Sequence, residues 1–371
     1  MNRKTYQAPL LLLALVLVGA SSVAGFQNPS PAGQTTNAKE WRFAVSGDSR
    51  NCGDIVMPAI AQQVSNSQTQ FYWHLGDFRA IYDFDQDMKE RPSAVGMTII
   101  GYEQSAWDDF IANQVSRFRV PVFLGIGNHE TIPPKTRADY LIQFADWLNT
   151  PALKEQRLLD NPRDHRLKAY YHWAQGGVDF ISLDNATPDQ FDAAQMQWVE
   201  SVLARDAANP DIKTVVVGMH QALPESIAAN HSMNDSPVGV QSGRQLYKAL
   251  LDLQNNKHKR VYVLASHSHY FMDGIFNTEY WRANGGVLPG WIIGTAGAVR
   301  YPLPVNAKDA KAARTNVYGY LLATVNPAGE PEGTIRFDFH EVQEADAPAD
   351  VSQQMGKDLI QQCFQKNSQA H

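Results

Sequence analysis

Residues 122–130, VFLGIGNHE, decide the fold: an apolar run is interrupted by two glycines and ends on an amide, an imidazole and a carboxylate. A short apolar run bounded by turn formers reads as a buried strand, and its polar end then lies where the chain leaves the sheet. The same grammar recurs along the chain. Arg42 to Ser46 leads into Gly47-Asp48-Ser49-Arg50, and Phe71 to Leu75 into Gly76-Asp77-Phe78-Arg79. Later, Thr214 to Gly218 leads into Met219-His220, and Val261 to Ala265 into Ser266-His267-Ser268-His269.

Between these strands, Ile55 to Val64, Tyr102 to Phe118, Arg137 to Leu148, Asp189 to Ala207 and Gly243 to Leu253 read as helices. Strand, helix and strand in alternation imply a largely parallel sheet flanked by helices, with ligands at the carboxyl ends of the strands. All five polar clusters fall at that end. Gly176-Gly177 marks a hairpin within Tyr170 to Asn185, and Val317 to Val325 with Thr334 to Phe339 reads as a later antiparallel pair. The expectation is an α/β fold in which mixed sheets pack as a sandwich flanked by helices. Asp350 to Gln365 reads as a closing helix.

The chain has 371 residues, 44% hydrophobic and 19% charged, which is ordinary globular composition. Arg3 and Lys4 precede an apolar run from Leu10 to Val18 and small residues near Ser22-Val23-Ala24. This reads as a secretory signal peptide over residues 1–24, followed by a flexible leader over 25–40 and one catalytic domain over 41–371. The apolar run is shorter than the roughly 20 residues that span a bilayer, so no stable membrane anchor is expected, and the mature chain is expected to be periplasmic or secreted. The formal net charge of −6 becomes two units more negative when Arg3 and Lys4 are removed. A general nucleic-acid binder would be basic, so no nucleic-acid partner is expected beyond a possible substrate. Cys52 and Cys363 are the two cysteines. They form either one bridge or two buried thiols.

Asp, Asn and His at strand ends offer oxygen and nitrogen donors without thiolate, which suits zinc, manganese or iron. A shared carboxylate can bridge two such ions about 4 Å apart, generating a hydroxide nucleophile and neutralising charge on a phosphoryl group. No Gly-x-Ser-x-Gly elbow, Walker loop or His-Glu-x-x-His helix offers a rival mechanism.

From about Arg42 to Ala298 the motifs resemble those of the calcineurin-like metallophosphoesterase superfamily: Asp-x-His, Gly-Asp, Gly-Asn-His-Asp/Glu, a lone His, and Gly-His-x-His. The resemblance implies that Asp77, Asn128, His220 and His267 hold one divalent metal and that Asp48, Asp77 and His269 hold another. It further implies that His129, beside Glu130, protonates the leaving oxygen or holds the phosphate. The expected function is hydrolysis of a phosphomonoester or phosphodiester by metal-bound hydroxide, with Asp77 and His129 as catalytic residues and a phosphorylated compound as substrate.

Two departures qualify this. Arg50 stands where the first motif has its His, and its guanidinium cannot ligate a metal. Purple acid phosphatases also lack that His but supply a Tyr three residues after the bridging Asp; here that position is Ala80. The first site therefore binds weakly, completes itself with water, recruits Asp54 or Asn51, or stays empty. Ser266 stands where the family has Gly, which is a minor change. Arg50 and Arg79, each two residues beyond a metal-binding Asp, are either phosphate clamps or partners of neighbouring carboxylates. The alternative function is a noncatalytic phosphate- or ligand-binding relative with an impaired first site.

Asp83-Phe84-Asp85-Gln86-Asp87 starts like a calcium loop but lacks its later Gly and Glu, and is expected to be a solvated acidic loop. Arg300 is a weaker candidate for substrate contact, Tyr270 and Phe271 either line the cleft or pack beneath it, and His165, His172, His231 and His258 carry no assigned role. Residues 83–101 and 225–242 follow ligand positions and are expected to set specificity.

Overall fold

In β1 (Trp41–Ser46), Phe43 and Val45 face one apolar cluster while Ala44 faces another. In β2 (Thr69–His74), Phe71 and Trp73 join the first cluster and Tyr72 the second. Side chains alternate across a strand, so a strand apolar on both faces must be covered on both. The remaining strands are β3 (Val122–Leu124), β4 (Tyr171–Gln175), β5 (Val178–Ser182), β6 (Thr214–Gly218), β7 (Arg260–Ala265), β8 (Phe271–Asp273), β9 (Gly290–Ile293), β10 (Ala312–Arg314), β11 (Tyr318–Val325) and β12 (Ile335–Val342).

The computed structural model describes residues 39–228 and 231–368. The expected signal peptide and nearly all of the leader lie outside them. Among the described residues no helix is long and apolar enough to cross a membrane.

One sheet runs β12-β11-β1-β2-β3 and the other β10-β8-β9-β7-β6-β5-β4. The β1–β2–β3 and β5–β6–β7–β9 pairings are parallel, and antiparallel strands complete each sheet. The sheets pack face to face across an aromatic core. Phe71 of β2 meets Phe180 of β5 edge to face at 5.1 Å, and Phe123 of β3 stacks on Trp173 of β4 at 3.9 Å. Such ring pairs add about 0.5–1.5 kcal/mol each beyond the area they bury. Helices 193–208 and 237–255 cover the outer face of the second sheet through Val199, Leu246 and Leu250, and helix 53–66 covers the first through Ile55 and Ile60. The expected α/β sandwich flanked by helices is the observed architecture.

Several boundaries differ from expectation. The helix expected from Asp189 starts at Ala193, because the Asp192 carboxylate caps it by accepting from Gln195 N. The stretch 137–148 breaks at Phe144 into helices 137–143 and 145–148, and the closing helix divides at Gly356. Gly356 has φ 81°, a left-handed value that ends one helix and starts the next. Cys52 and Cys363 form a disulfide with Cα atoms 5.9 Å apart, tying the last helix to the first motif.

The acidic loop is solvated at Asp83 but not at its other two aspartates. Asp85 and Asp87 are fully buried, and Arg79 lies among them with no exposure. Its guanidinium pairs with Asp87 at 2.9 Å, with Asp85 at 3.7 Å, and with Asp54 and Asp109 in closer contact. Arg79 is therefore not a substrate clamp: with no path to solvent, its charge is spent on four carboxylates. Arg300 is also structural, donating to the carbonyls of Asn367, Phe364 and Asn316. Tyr270 and Phe271 are buried in packing rather than lining a cleft.

Candidate metal centre

Five loops leave the strand ends together. Asp48 follows β1, Asp77 follows β2, Asn128 follows β3, His220 follows β6, and His267 and His269 follow β7. Asp48, Asp77 and His267 take left-handed backbone, with φ of 60°, 60° and 65°. Non-glycine residues seldom adopt it, and where they do the surrounding structure must hold them there. Glu130 does so for two loops at once. Its carboxylate accepts from Gly127 N at 2.7 Å, Asp77 N at 2.8 Å and Phe78 N at 2.9 Å. The loops approach so closely that a Cβ on Gly76, at φ 94°, would lie 2.4 Å from Gly127 N.

Around His220 Nε2 the donor atoms converge. Asn128 Oδ1 and His267 Nδ1 each lie 3.0 Å away, and Asp77 Oδ1 lies at 3.3 Å. His220 donates its Nδ1–H to the Leu75 carbonyl at 3.0 Å, so Nε2 is the ring nitrogen turned toward this cluster and the one available to a metal. An outer hydrogen bond of this kind fixes the tautomer of a metal-binding histidine. Asp77, His220 and His267 form a group that could hold a metal ion. The loop bearing His220 is braced by Asn185, which accepts from Gln221 N and donates to Gln221 O.

Asp48 and His269 lie to the other side of Asp77. Asp48 Oδ1 is 3.2 Å from His269 Nε2, and His269 Nδ1 donates to the Val299 carbonyl at 2.6 Å. Asp48 Oδ2 accepts from His267 N at 2.7 Å and from the Ser266 hydroxyl. Ser266 is thus more than a small residue in a Gly position. Arg50 enters this side, with NH2 3.0 Å from His269 Nε2 and Nε 3.8 Å from Asp77 Oδ2. His129 donates Nδ1–H to the Ala80 carbonyl at 2.6 Å, which leaves Nε2 3.6 Å from Asp77 Oδ2.

Electrostatics follow from burying two carboxylates among imidazoles. Burial alone would raise Asp77, but His129 and His220 outweigh it and hold its carboxyl well below the usual range. Burial would lower His220, yet Asp77 pushes it up to about 9. Burial and the neighbouring His220 pull His267 down to about 3. Burial also lowers His129, against the pull of Asp77.

The structure brings Asp48, Asp77, Asn128, His129, His220, His267, His269 and Arg50 into one site and leaves Arg79 out. Asn51 and Asp54 do not enter it: Asn51 Oδ1 accepts from Val299 N, and Asp54 joins the Arg79 cluster. Two further residues reach the site from outside the five motifs. Tyr301 stacks on His269 at 3.9 Å and accepts from Arg50 at 3.4 Å, and His231 lies 5.5 Å from His267 and stacks on Tyr301 at 5.2 Å. Tyr301 sits near the Gly-rich turn at 294–298, a weak pointer available beforehand.

The sequence model of the calcineurin-like phosphoesterases matches residues 42–271, well over half of the chain. No curated protein matches significantly by sequence. Among solved structures, PhoD is similar at 15% identity and a TM-score of 0.51, covering 85% of this chain and 73% of its own. The anchor protein GAP50 of the Plasmodium inner membrane complex is similar at 13% identity and TM-score 0.44, covering 82% and 89%. A dimetal phosphatase from Danio rerio is similar at 12% identity and TM-score 0.47, covering 76% and 92%. At these identities the likeness to PhoD speaks for the fold alone.

Proposed function

Because the chain belongs to the calcineurin-like phosphoesterase family, we propose that it is an exported, metal-dependent phosphoesterase acting on a phosphomonoester or phosphodiester. The observation that carries this reading is the convergence of Asp77, Asn128 and His267 ligand atoms within 3.3 Å of His220 Nε2. Four buried or half-buried donors facing one another, with the His220 tautomer fixed from behind, make a place for a cation. These residues fit a zinc, manganese or iron ion, and Asp77, Asn128, His220 and His267 would hold it. When bound, such an ion polarises a phosphoryl oxygen and activates water as the nucleophile.

The rest of the chemistry falls to the chain's own groups. Arg50 supplies a fixed positive charge and donors toward phosphoryl oxygens, which suits a group gaining negative charge. His129 has Nδ1 committed to Ala80, so Nε2 is the atom placed to exchange a proton with the leaving oxygen. Asp77 holds both the metal side and the Arg50 side in register. Export is supported by the Arg3-Lys4 and apolar sequence pattern of residues 1–24 and by the Cys52–Cys363 bridge, a bond that persists outside reducing compartments.

The test is hydrolysis of p-nitrophenyl phosphate and bis-p-nitrophenyl phosphate by the purified chain, before and after chelation and with metal restored. Chelator-sensitive turnover that returns with metal supports the proposal. Absence of turnover under every supplementation overturns it. That outcome would favour a noncatalytic ligand-binding relative, the reading to which Arg50's entry into the site lends its own support; phosphate binding without turnover would identify it.

A further inference from the structure

We propose that the Arg50 guanidinium is the permanent occupant of the first cation position, so that the chain binds one metal ion where two are implied by family resemblance. The inference rests on reading Asp77, Asn128, His220 and His267 as a metal site. It concerns what lies across Asp77 from them.

The residues for a first metal do not fit one. Asp48 Oδ1 and His269 Nε2 lie 3.2 Å apart, and His269 is turned by the Val299 carbonyl so that the Nε2 lone pair faces inward. That lone pair is already taken by Arg50 NH2 at 3.0 Å. A hydrogen bond runs roughly along the acceptor's lone pair, and a metal would need the same direction at about 2.1 Å, which places it about 1 Å from the arginine nitrogen. The two cannot share the position, and Arg50 cannot shed its proton to become a ligand.

The guanidinium also meets the charges the metal would have met. Arg50 Nε lies 3.8 Å from Asp77 Oδ2, and each of these buried atoms lacks a hydrogen-bond partner among the described residues, so each is balanced by the other's charge. Asp48 Oδ1 lacks one too and faces the His269 nitrogen that Arg50 engages. Arg50 is not a surface side chain that happened to fold inward: its side chain is 11% exposed. It donates to Tyr301, whose ring lies flat on His269, and His231 backs Tyr301. The second departure from the family pattern acts on Asp48, since the Ser266 hydroxyl donates to Asp48 Oδ2. With His267 N on that oxygen as well, Asp48 is held by hydrogen bonds rather than by an ion.

The two halves of the site therefore differ in kind. One gathers the side chains of Asp77, Asn128, His220 and His267, whose atoms can ligate a metal; the other has its cation built into the chain. The arrangement trades an exchangeable divalent ion for a fixed monovalent one that also carries directional donors for a phosphoryl oxygen.

The experiment is metal content of the full chain after loading with excess Mn2+ and removal of free ion, with electron paramagnetic resonance of the bound manganese. One equivalent with an uncoupled six-line spectrum is expected for the wild type. Arg50→His is expected to bind two equivalents with an exchange-coupled spectrum, and Arg50→Ala to gain a second, weaker equivalent. Two equivalents or a coupled spectrum in the wild type overturn the inference while leaving the phosphoesterase reading intact. No binding of Mn2+, Zn2+ or Fe2+ overturns the metal-site reading and the inference with it. The wild-type measurement decides even if a variant fails to fold.

Discussion

Arg50 and Arg79 occupy the same place in two successive motifs, each two residues beyond an aspartate that closes a parallel strand, yet they do opposite work. Arg79 is wholly buried among Asp54, Asp85, Asp87 and Asp109 and never reaches the site. Arg50 turns into the site and meets His269, Asp77 and the Tyr301 hydroxyl there. The difference lies in what the rest of the chain delivers to each loop. The helix at 53–66, the loop at 83–87 and the helix at 99–113 bring carboxylates to Arg79. The loop after β7 brings imidazole to Arg50. One arginine is therefore part of the scaffold and the other part of the chemistry, and that division can be broken by experiment.

Arg79→Met carries the largest expected effect. It removes the cation shared by four carboxylates, of which Asp109 and Asp54 keep Arg91, at 2.6 Å and 3.7 Å, and removing one partner of a buried ion cluster costs about 3–5 kcal/mol. Urea denaturation should show that loss, with turnover per folded molecule little changed. Arg50→Met should do the reverse, lowering kcat/KM about 10²- to 10³-fold, the scale for losing one electrostatic contact to a transition state, with a stability loss smaller than that of Arg79→Met. Equal stability losses for the two would erase the distinction.

His172 sharpens the comparison, because it is a buried cation that can lose its charge. It lies 2.7 Å from Asp160 and 2.8 Å from Asp179. Burial would lower its pKa, but Asp160 and Asp179 outweigh it and push it up to about 9. A folded-state value above the unfolded value of about 6.5 means that its stabilisation is complete below pH 6.5 and lost as pH rises through about 9. The stability gap between wild type and His172→Gln should therefore shrink by up to roughly 3 kcal/mol between pH 6 and pH 10. A constant gap across that range would contradict the assignment. The smallest effect is expected for Ser266→Gly, which removes one hydrogen bond to Asp48 and should cost about 1 kcal/mol in the same denaturation assay.

The sequence made the frame of the site legible because each ligand closes an apolar run, and such runs are recognisable one at a time. The hairpin at Gly176-Gly177 was legible for the same local reason. For Arg79 the sequence left a phosphate clamp and a carboxylate partner open, since Asp54, Asp85, Asp87 and Asp109 come from separate segments, and only folding shows that Asp85 and Asp87 turn inward around it. Tyr301 and His231 belong to no motif and reach the site through long-range packing. The three-residue strands β8 and β10 were also missed, being too short to show periodicity.

The most direct test of the central claim is a crystal grown with Mn2+ and measured at the manganese absorption edge. The account predicts one anomalous peak enclosed by Asp77, Asn128, His220 and His267, with the Arg50 guanidinium across Asp77 from it. A peak between Asp48 and His269, or none at the His220 cluster, would contradict it.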